Sequence, residues 1–233
     1  MDFSQSFKQV RDSVLHILAM KDSREIVSSC SGVLVLDGSV AITCAHCVFD
    51  GIRIFARLPR KDTLIEGKLH KTDAGKDIAI IRFPNQIGLA VKMKNSDTVE
   101  IGQEAFIAGF PLNITSITTL LAHIAGFEQH EGFDLIRIDA SINHGLSGGP
   151  LFNICGELIG IVNAKHGSLS GFLKRVETAQ PGARISIGGI DPVEAIQQLI
   201  REMKINLNLG IGYAIPINVV GSVDNDIKTT IMS

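Results

Sequence analysis

No apolar stretch reaches the roughly 18 residues that a membrane-spanning helix needs, so no membrane span is expected. The first residues, from Met1 to Lys8, show no basic segment leading into an apolar one, which is the pattern of a secretory leader. A cytoplasmic location with reduced thiols is therefore the expectation, or a periplasmic or secreted one if a leader has been removed. Charge of one sign is not in excess. Lys and Arg number 22 against 24 Asp and Glu, for a net charge of −2. Such balance gives no electrostatic hold on nucleic acid or on an anionic membrane, and neither is expected as a partner. Four cysteines in 233 residues are too few for a disulfide-built miniprotein. The histidines have no paired ligand spacing, so neither a metal nor a cofactor is expected. No repeat period is visible. What the chain does have is a 45% hydrophobic composition, enough for one large domain or two small ones with a packed core.

Short apolar runs recur at residues 26–36, 40–44, 52–58, 78–83, 105–110, 135–138, 158–162 and 211–215, with turn signals between them. Asp37-Gly38 reads as a two-residue hairpin turn and Cys155-Gly156 as another turn. This spacing suggests an all-β sandwich or barrel. Helix signals are few. Phe3, Phe7, Val10 and Val14 share a helical face and predict a helix that opens the chain. Residues 13–20 fit either helix or strand. A helix is expected over residues 191–204, with Asp191 as N-cap and Pro192 at its first position. Residues 165–189 read as a long loop.

Three segments carry chemistry. Gly145-Leu146-Ser147-Gly148-Gly149-Pro150 surrounds a serine with glycines, which lets backbone approach a reacting carbonyl and turn N–H groups toward it. Thr43-Cys44-Ala45-His46-Cys47-Val48 places a histidine directly after a strand. Lys76-Asp77-Ile78-Ala79-Ile80-Ile81 opens a strand with an aspartate. Gly-x-Ser-x-Gly also fits the nucleophile elbow of α/β-hydrolases, but that fold needs Ser, then an acid, then His, with a helix after the serine. Here the order is His46, Asp77, Ser147, at separations of 31 and 70 residues, and a strand follows.

In that order and local context the chain resembles the trypsin-like, chymotrypsin-fold serine proteases, nearest the Deg/HtrA type. The histidine and aspartate segments carry the likeness. So do residues 139–153 around Ser147 and the closing strand Gly210-Ile211-Gly212-Tyr213-Ala214-Ile215-Pro216. The resemblance implies two six-stranded antiparallel β-barrels with a few added helices. It places an N-terminal helical extension at 1–12 and the first barrel at 13–95. The second barrel follows at 96–223 with an insertion at 165–209, then a C-terminal tail at 224–233, with no PDZ domain. It implies a serine endopeptidase acting on a protein or peptide substrate. Ser147 would be the nucleophile, His46 the general base and Asp77 its orienting acid. The backbone N–H groups of Gly145 and Ser147 would form the oxyanion hole.

The specificity pocket would be lined by Ser141, Asn163, Ala164, Lys165, Ile211 and Gly212. Ser141 offers no carboxylate for Lys or Arg, so small or medium aliphatic residues are expected before the cut. An acidic residue held by Lys165 or His166 is the alternative. Leu146 stands where cleavage-activated zymogens have an aspartate, so no such activation is expected. The insertion 165–209 is a candidate site for a regulatory partner. Cys30 and Cys47 sit where secreted members have a disulfide, and a bridge is expected only on exposure to oxidant. Cys44 is expected to be buried and Cys155 exposed. Two other functions stay open: a catalytically silent binding module, and a thiol–disulfide oxidoreductase using the CxxC formed by Cys44 and Cys47.

Overall fold

A computed structural model describes residues 2–111, 114–164, 196–198 and 210–232. Twelve strands lie among them, in two closed antiparallel barrels. The first barrel contains β1 (Val14–Met20), β2 (Ile26–Val35), β3 (Val40–Thr43), β4 (Arg53–Arg57), β5 (Ile65–Asp73) and β6 (Ile78–Arg82), ordered β1-β2-β3-β6-β5-β4. The second contains β7 (Glu104–Gly109), β8 (Thr118–His130), β9 (Phe133–Ile138), β10 (Pro150–Asn153), β11 (Leu158–Asn163) and β12 (Gly212–Pro216), ordered β10-β11-β12-β9-β8-β7. Closure removes the exposed edges that open sheets must protect.

The β-branched runs form the strands that face both a barrel interior and a covering layer. β1, β3 and β11 are buried at every position. β5 and β8 instead alternate buried with exposed residues, and one face of each meets solvent. The Asp37-Gly38 turn is longer than its sequence suggests. Val35 pairs with Val40, so four residues make the connection. The Asp37 carboxylate accepts from the Ser39 backbone N–H (2.9 Å) and hydroxyl (2.7 Å), which stabilises the wider turn. Gly38 has φ +80°, and a Cβ there would strike the Gly88 carbonyl.

Helix α1 (Ser4–Val10) opens the chain, and Val14 already belongs to β1. Phe3 stacks on Phe106 of the second barrel at 4.8 Å, and the Ser6 hydroxyl donates to the Ile154 carbonyl at 2.6 Å. The N-terminal segment thus packs on the second barrel before running into β1 of the first. After β12 come α2 (Ile217–Gly221) and α3 (Asn225–Met232), so the expected tail contains a helix. Asp224 caps α3 by accepting from the Asp226 and Ile227 N–H groups, and it pairs with Lys71 at 2.7 Å. Burial pushes the Asp224 carboxyl up, but Lys71 and the two N–H groups outweigh it and hold it below its usual range. Residues 196–198 are helical. The remainder of the helix expected over 191–204, the rest of the 165–209 insertion and the loop read at 165–189 lie outside the described residues.

His16 on β1 is buried, and its ring stacks on Phe110 at 4.8 Å. Arg57 Nη2 donates to Nδ1 at 2.8 Å, so the ring proton sits on Nε2 and donates to Ser29 Oγ at 2.8 Å. Burial, with the Arg57 charge beside it, lowers the His16 pKa to about 4. The unfolded chain binds a proton at this residue below about pH 6.5 that the folded chain refuses until about pH 4. Stability should therefore fall as pH drops through that window, by up to roughly 3 kcal/mol. Urea midpoints at pH 7 and pH 4.5 should differ clearly less in His16→Gln than in the wild type. Equal differences would contradict the assignment.

Candidate active site

His46 sits in a single 3-10 turn, Ala45–Cys47, directly after β3. Asp77 sits just before β6, the strand that pairs with β3 and aligns Thr43 with Ala79. The pairing of these two strands therefore brings the two residues together. Asp77 has φ +55°, in the left-handed region that aspartate tolerates better than most side chains. From there it grips the histidine turn by backbone and side chain. Its carbonyl accepts from the Ala45 N–H at 3.1 Å, and Oδ1 accepts from the His46 N–H at 2.9 Å. Oδ2 lies 2.6 Å from His46 Nδ1. In the neutral ring with its proton on Nδ1, this bond leaves the Nε2 lone pair free.

Ser147 comes from the other barrel, in the turn before β10, and is 4% exposed. Its Oγ accepts from the Ala164 N–H at 3.2 Å. No bond joins it to His46 among the described residues; such contacts in free enzymes often tighten only when substrate binds. The turn is built by Leu146 N–H donating to Asn143 O (3.1 Å) and Gly149 N–H to Leu146 O (2.9 Å). Gly145 (φ +92°) and Gly148 (φ +80°) take backbone conformations that a side chain would strain. A Cβ on Gly148 would strike Thr43 Oγ1 and the Ser31 carbonyl. Among the described residues, neither the Gly145 nor the Ser147 N–H is used within the protein. Leu146 is buried in the core of the second barrel, so the turn is anchored by apolar packing.

The residues expected around the pocket separate. Ser141 is exposed, Ile211 is half exposed, and Gly212 is buried. Lys165 lies outside the described residues, as does His166. Asn163 turns its side chain inward. It is 1% exposed, and its Nδ2 donates to Asp77 Oδ2 at 2.9 Å. Strand residues alternate between faces, and this one turns toward the histidine–aspartate pair. Ala164 contributes its backbone to Ser147. One residue not singled out from the sequence is Ile142. A Cβ added at Gly212 would strike Ile142 Cγ1 and meet the Ala140 carbonyl at 3.0 Å, so Ile142 and Gly212 face each other at close range.

Cys30 and Cys47 are joined by a disulfide, where reduced thiols were expected. Cys44 is outside the bridge and buried, with its thiol donating to the Val162 carbonyl at 3.4 Å, and Cys155 is a free, exposed thiol. The CxxC pair Cys44 and Cys47 is therefore not bridged, because Cys47 is already bonded to Cys30. Among the described residues, two groups place three metal-ligating atoms within 4.8 Å of one another: Cys30, His46 and Cys47, and Cys44, His46 and Asp77. The bridge and the His46–Asp77 bond already engage most of these donors. No helix of the described residues is long and apolar enough to cross a membrane.

Residues 30–161 match the trypsin-like peptidase domain, a stretch that contains His46, Asp77 and Ser147. The chain is similar to a probable periplasmic serine endoprotease, DegP-like, of Pseudomonas fulva. The two are 33% identical over 141 residues, 59% of this chain and 29% of the relative. A protein of the same description from Buchnera aphidicola subsp. Schizaphis graminum is 33% identical over 184 residues, 74% of this chain and 35% of the relative. The chain spans about a third of the length of these curated relatives. Among solved structures, an HtrA-type protease AlgW with tripeptide matches with a TM-score of 0.70 at 21% identity, over 97% of this chain and 64% of that one. A serine endoprotease from Yersinia pestis matches with a TM-score of 0.69 at 21% identity, over 100% of this chain and 68% of that one. These structures share the fold of two barrels.

The relatives are described as periplasmic, which overturns the cytoplasmic expectation and points to a periplasmic or secreted location. Disulfides persist in such oxidising compartments, and the Cys30–Cys47 bridge agrees with that. In the unreduced native protein, a maleimide should label Cys155 and spare Cys44. Peptide mapping should recover Cys30 and Cys47 as one linked fragment. Recovery of both as separately alkylated peptides would contradict the bridge.

Proposed function

This chain belongs to the trypsin-like peptidase family, and on that premise we propose that it is a serine endopeptidase acting through an acyl-enzyme. His46, Asp77 and Ser147 form the triad in this reading. The observation that carries it is the two-point grip of Asp77 on His46, at the backbone N–H and at Nδ1. That grip fixes the ring orientation and leaves Nε2 as the basic nitrogen. A serine hydroxyl is a weak nucleophile and needs such a base beside it.

In the first half-reaction, Ser147 Oγ attacks the substrate carbonyl carbon while His46 Nε2 takes the hydroxyl proton. The carbonyl oxygen becomes an oxyanion, received by the unused N–H groups of Gly145 and Ser147. Pre-aimed donors of this kind each stabilise the transition state by about 3–4 kcal/mol. The imidazolium is stabilised by the Asp77 carboxylate, which Asn163 holds in place. His46 then returns its proton to the leaving amine, and the C–N bond breaks. Water repeats the sequence on the acyl-enzyme and frees Ser147.

The pocket favours small or medium aliphatic residues before the cut. Ile142 closes on Gly212, and the neighbouring Ile211 offers a half-exposed apolar side chain. Ser141, expected at the floor but exposed here, supplies no carboxylate, and a Lys or Arg side chain buried beside it would be left unpaired at high cost. Size discrimination of this kind amounts to about 1–3 kcal/mol per methylene, so cleavage is preferential.

A fluorophosphonate probe should label Ser147 in the wild type and nothing in Ser147→Ala or His46→Ala, both folded and both at least about 1,000-fold slower on peptides. Peptide binding with no labelling and no hydrolysis would instead identify a silent binding module. In a peptide library the wild type should prefer Val, Ala, Ile or Leu before the cut. Ile142→Ala should raise kcat/KM for Leu or Phe relative to Val by about tenfold. A wild-type preference for Lys or Arg would overturn the pocket argument, as would one for Asp or Glu.

A further inference from the structure

The strongest unassigned feature is a polar side chain of the first barrel buried against the serine turn of the second. Ser31 on β2 is fully buried, and four hydrogen bonds meet on it. Its hydroxyl donates to the Gly145 carbonyl at 2.7 Å and accepts from the Phe110 N–H at 2.9 Å. Its own N–H donates to the Ser147 carbonyl at 2.9 Å. Its carbonyl accepts from the Thr43 hydroxyl at 2.7 Å, three residues before His46. Three glycines shape the socket. A Cβ at Gly109 or Gly149 would press on the Ser31 side chain, and one at Gly148 would strike its carbonyl.

We propose that Ser31 is a positioning residue for the oxyanion donors, acting from the opposite barrel. This rests on the triad reading given above. The peptide between Gly145 and Leu146 is held at its carbonyl by Ser31 and at its N–H by Asn143 O. The peptide after Ser147 is held at its carbonyl by the Ser31 N–H. These two fixed peptides flank the one that carries the Ser147 N–H, and the first adjoins Gly145. Gly145 has no side chain to restrict it, so its orientation depends on such external partners. Without the Ser31 hydroxyl, the buried Gly145 carbonyl and Phe110 N–H lose their partner. An unpaired buried polar group is costly enough to drive a turn to rearrange.

The test compares wild type, Ser31→Ala and Ser31→Cys, in which the thiol is a weaker donor of similar shape. On a peptide ester, kcat should fall by about 10- to 100-fold in Ser31→Ala, with KM changed less than about threefold, and Ser31→Cys should fall between. A peptidyl aldehyde forms a hemiacetal whose oxygen uses the same donors, so its Ki should rise by the same factor as kcat falls. The affinity of a product peptide should stay unchanged. These readouts separate positioning from a general loss of stability, and Ser31→Cys carries the test if Ser31→Ala does not fold. Variants that lose thermal stability but keep kcat and aldehyde affinity within twofold would overturn the proposal. A wild type that neither hydrolyses peptides nor reacts with a fluorophosphonate would overturn the triad reading, and the proposal with it.

Discussion

The arrangement depends on registering two separately closed barrels against each other. The histidine and aspartate come from one barrel and the serine from the other, and no strand is shared. Hydrogen bonds that cross between them set the register. Asn163 of β11 reaches Asp77, Ser31 of β2 holds the carbonyls of Gly145 and Ser147, and Cys44 donates to Val162. These groups are buried, so a slip between the barrels would leave several donors and acceptors without partners. Each such loss costs about 1–3 kcal/mol, which makes the alignment steep as well as favourable.

Around that seam, apolar packing adds to the hydrogen bonds. Leu146 sits in the second core directly before Ser147, and Phe3, just ahead of α1, stacks on Phe106. The disulfide adds a covalent tie between the residue before Ser31 and the residue after His46. The elements that orient His46 and those that orient the serine turn are therefore coupled through two neighbouring residue pairs.

The sequence made part of this legible. Strands rich in Val and Ile, such as β3, β6 and β11, stand out because both faces are covered. β5 and β8 do not, because polar alternation dilutes their apolar signal. The three chemical segments were readable because each packs its signal into a few adjacent residues. The bond from Asn163 to Asp77 was not legible because facing depends on strand register, which pairing with Tyr213 of β12 fixes. Ser31 was invisible because its side-chain partners lie 79 and 114 residues away. The compartment was misjudged because it was read from the first eight residues alone, and they do not report the oxidation state of a thiol pair formed by residues 30 and 47.

The bridge between Cys30 and Cys47 spans 17 residues and lies entirely within the first barrel. Nothing that follows β6 is needed to close it. Its two half-cystines stand directly beside Ser31 and His46, so one bond fixes the spacing between the residue that holds the serine turn and the histidine that faces it from the same barrel. Reduction would release both residues together: a reductant that never enters the cleft would act on His46 and on the serine turn at once.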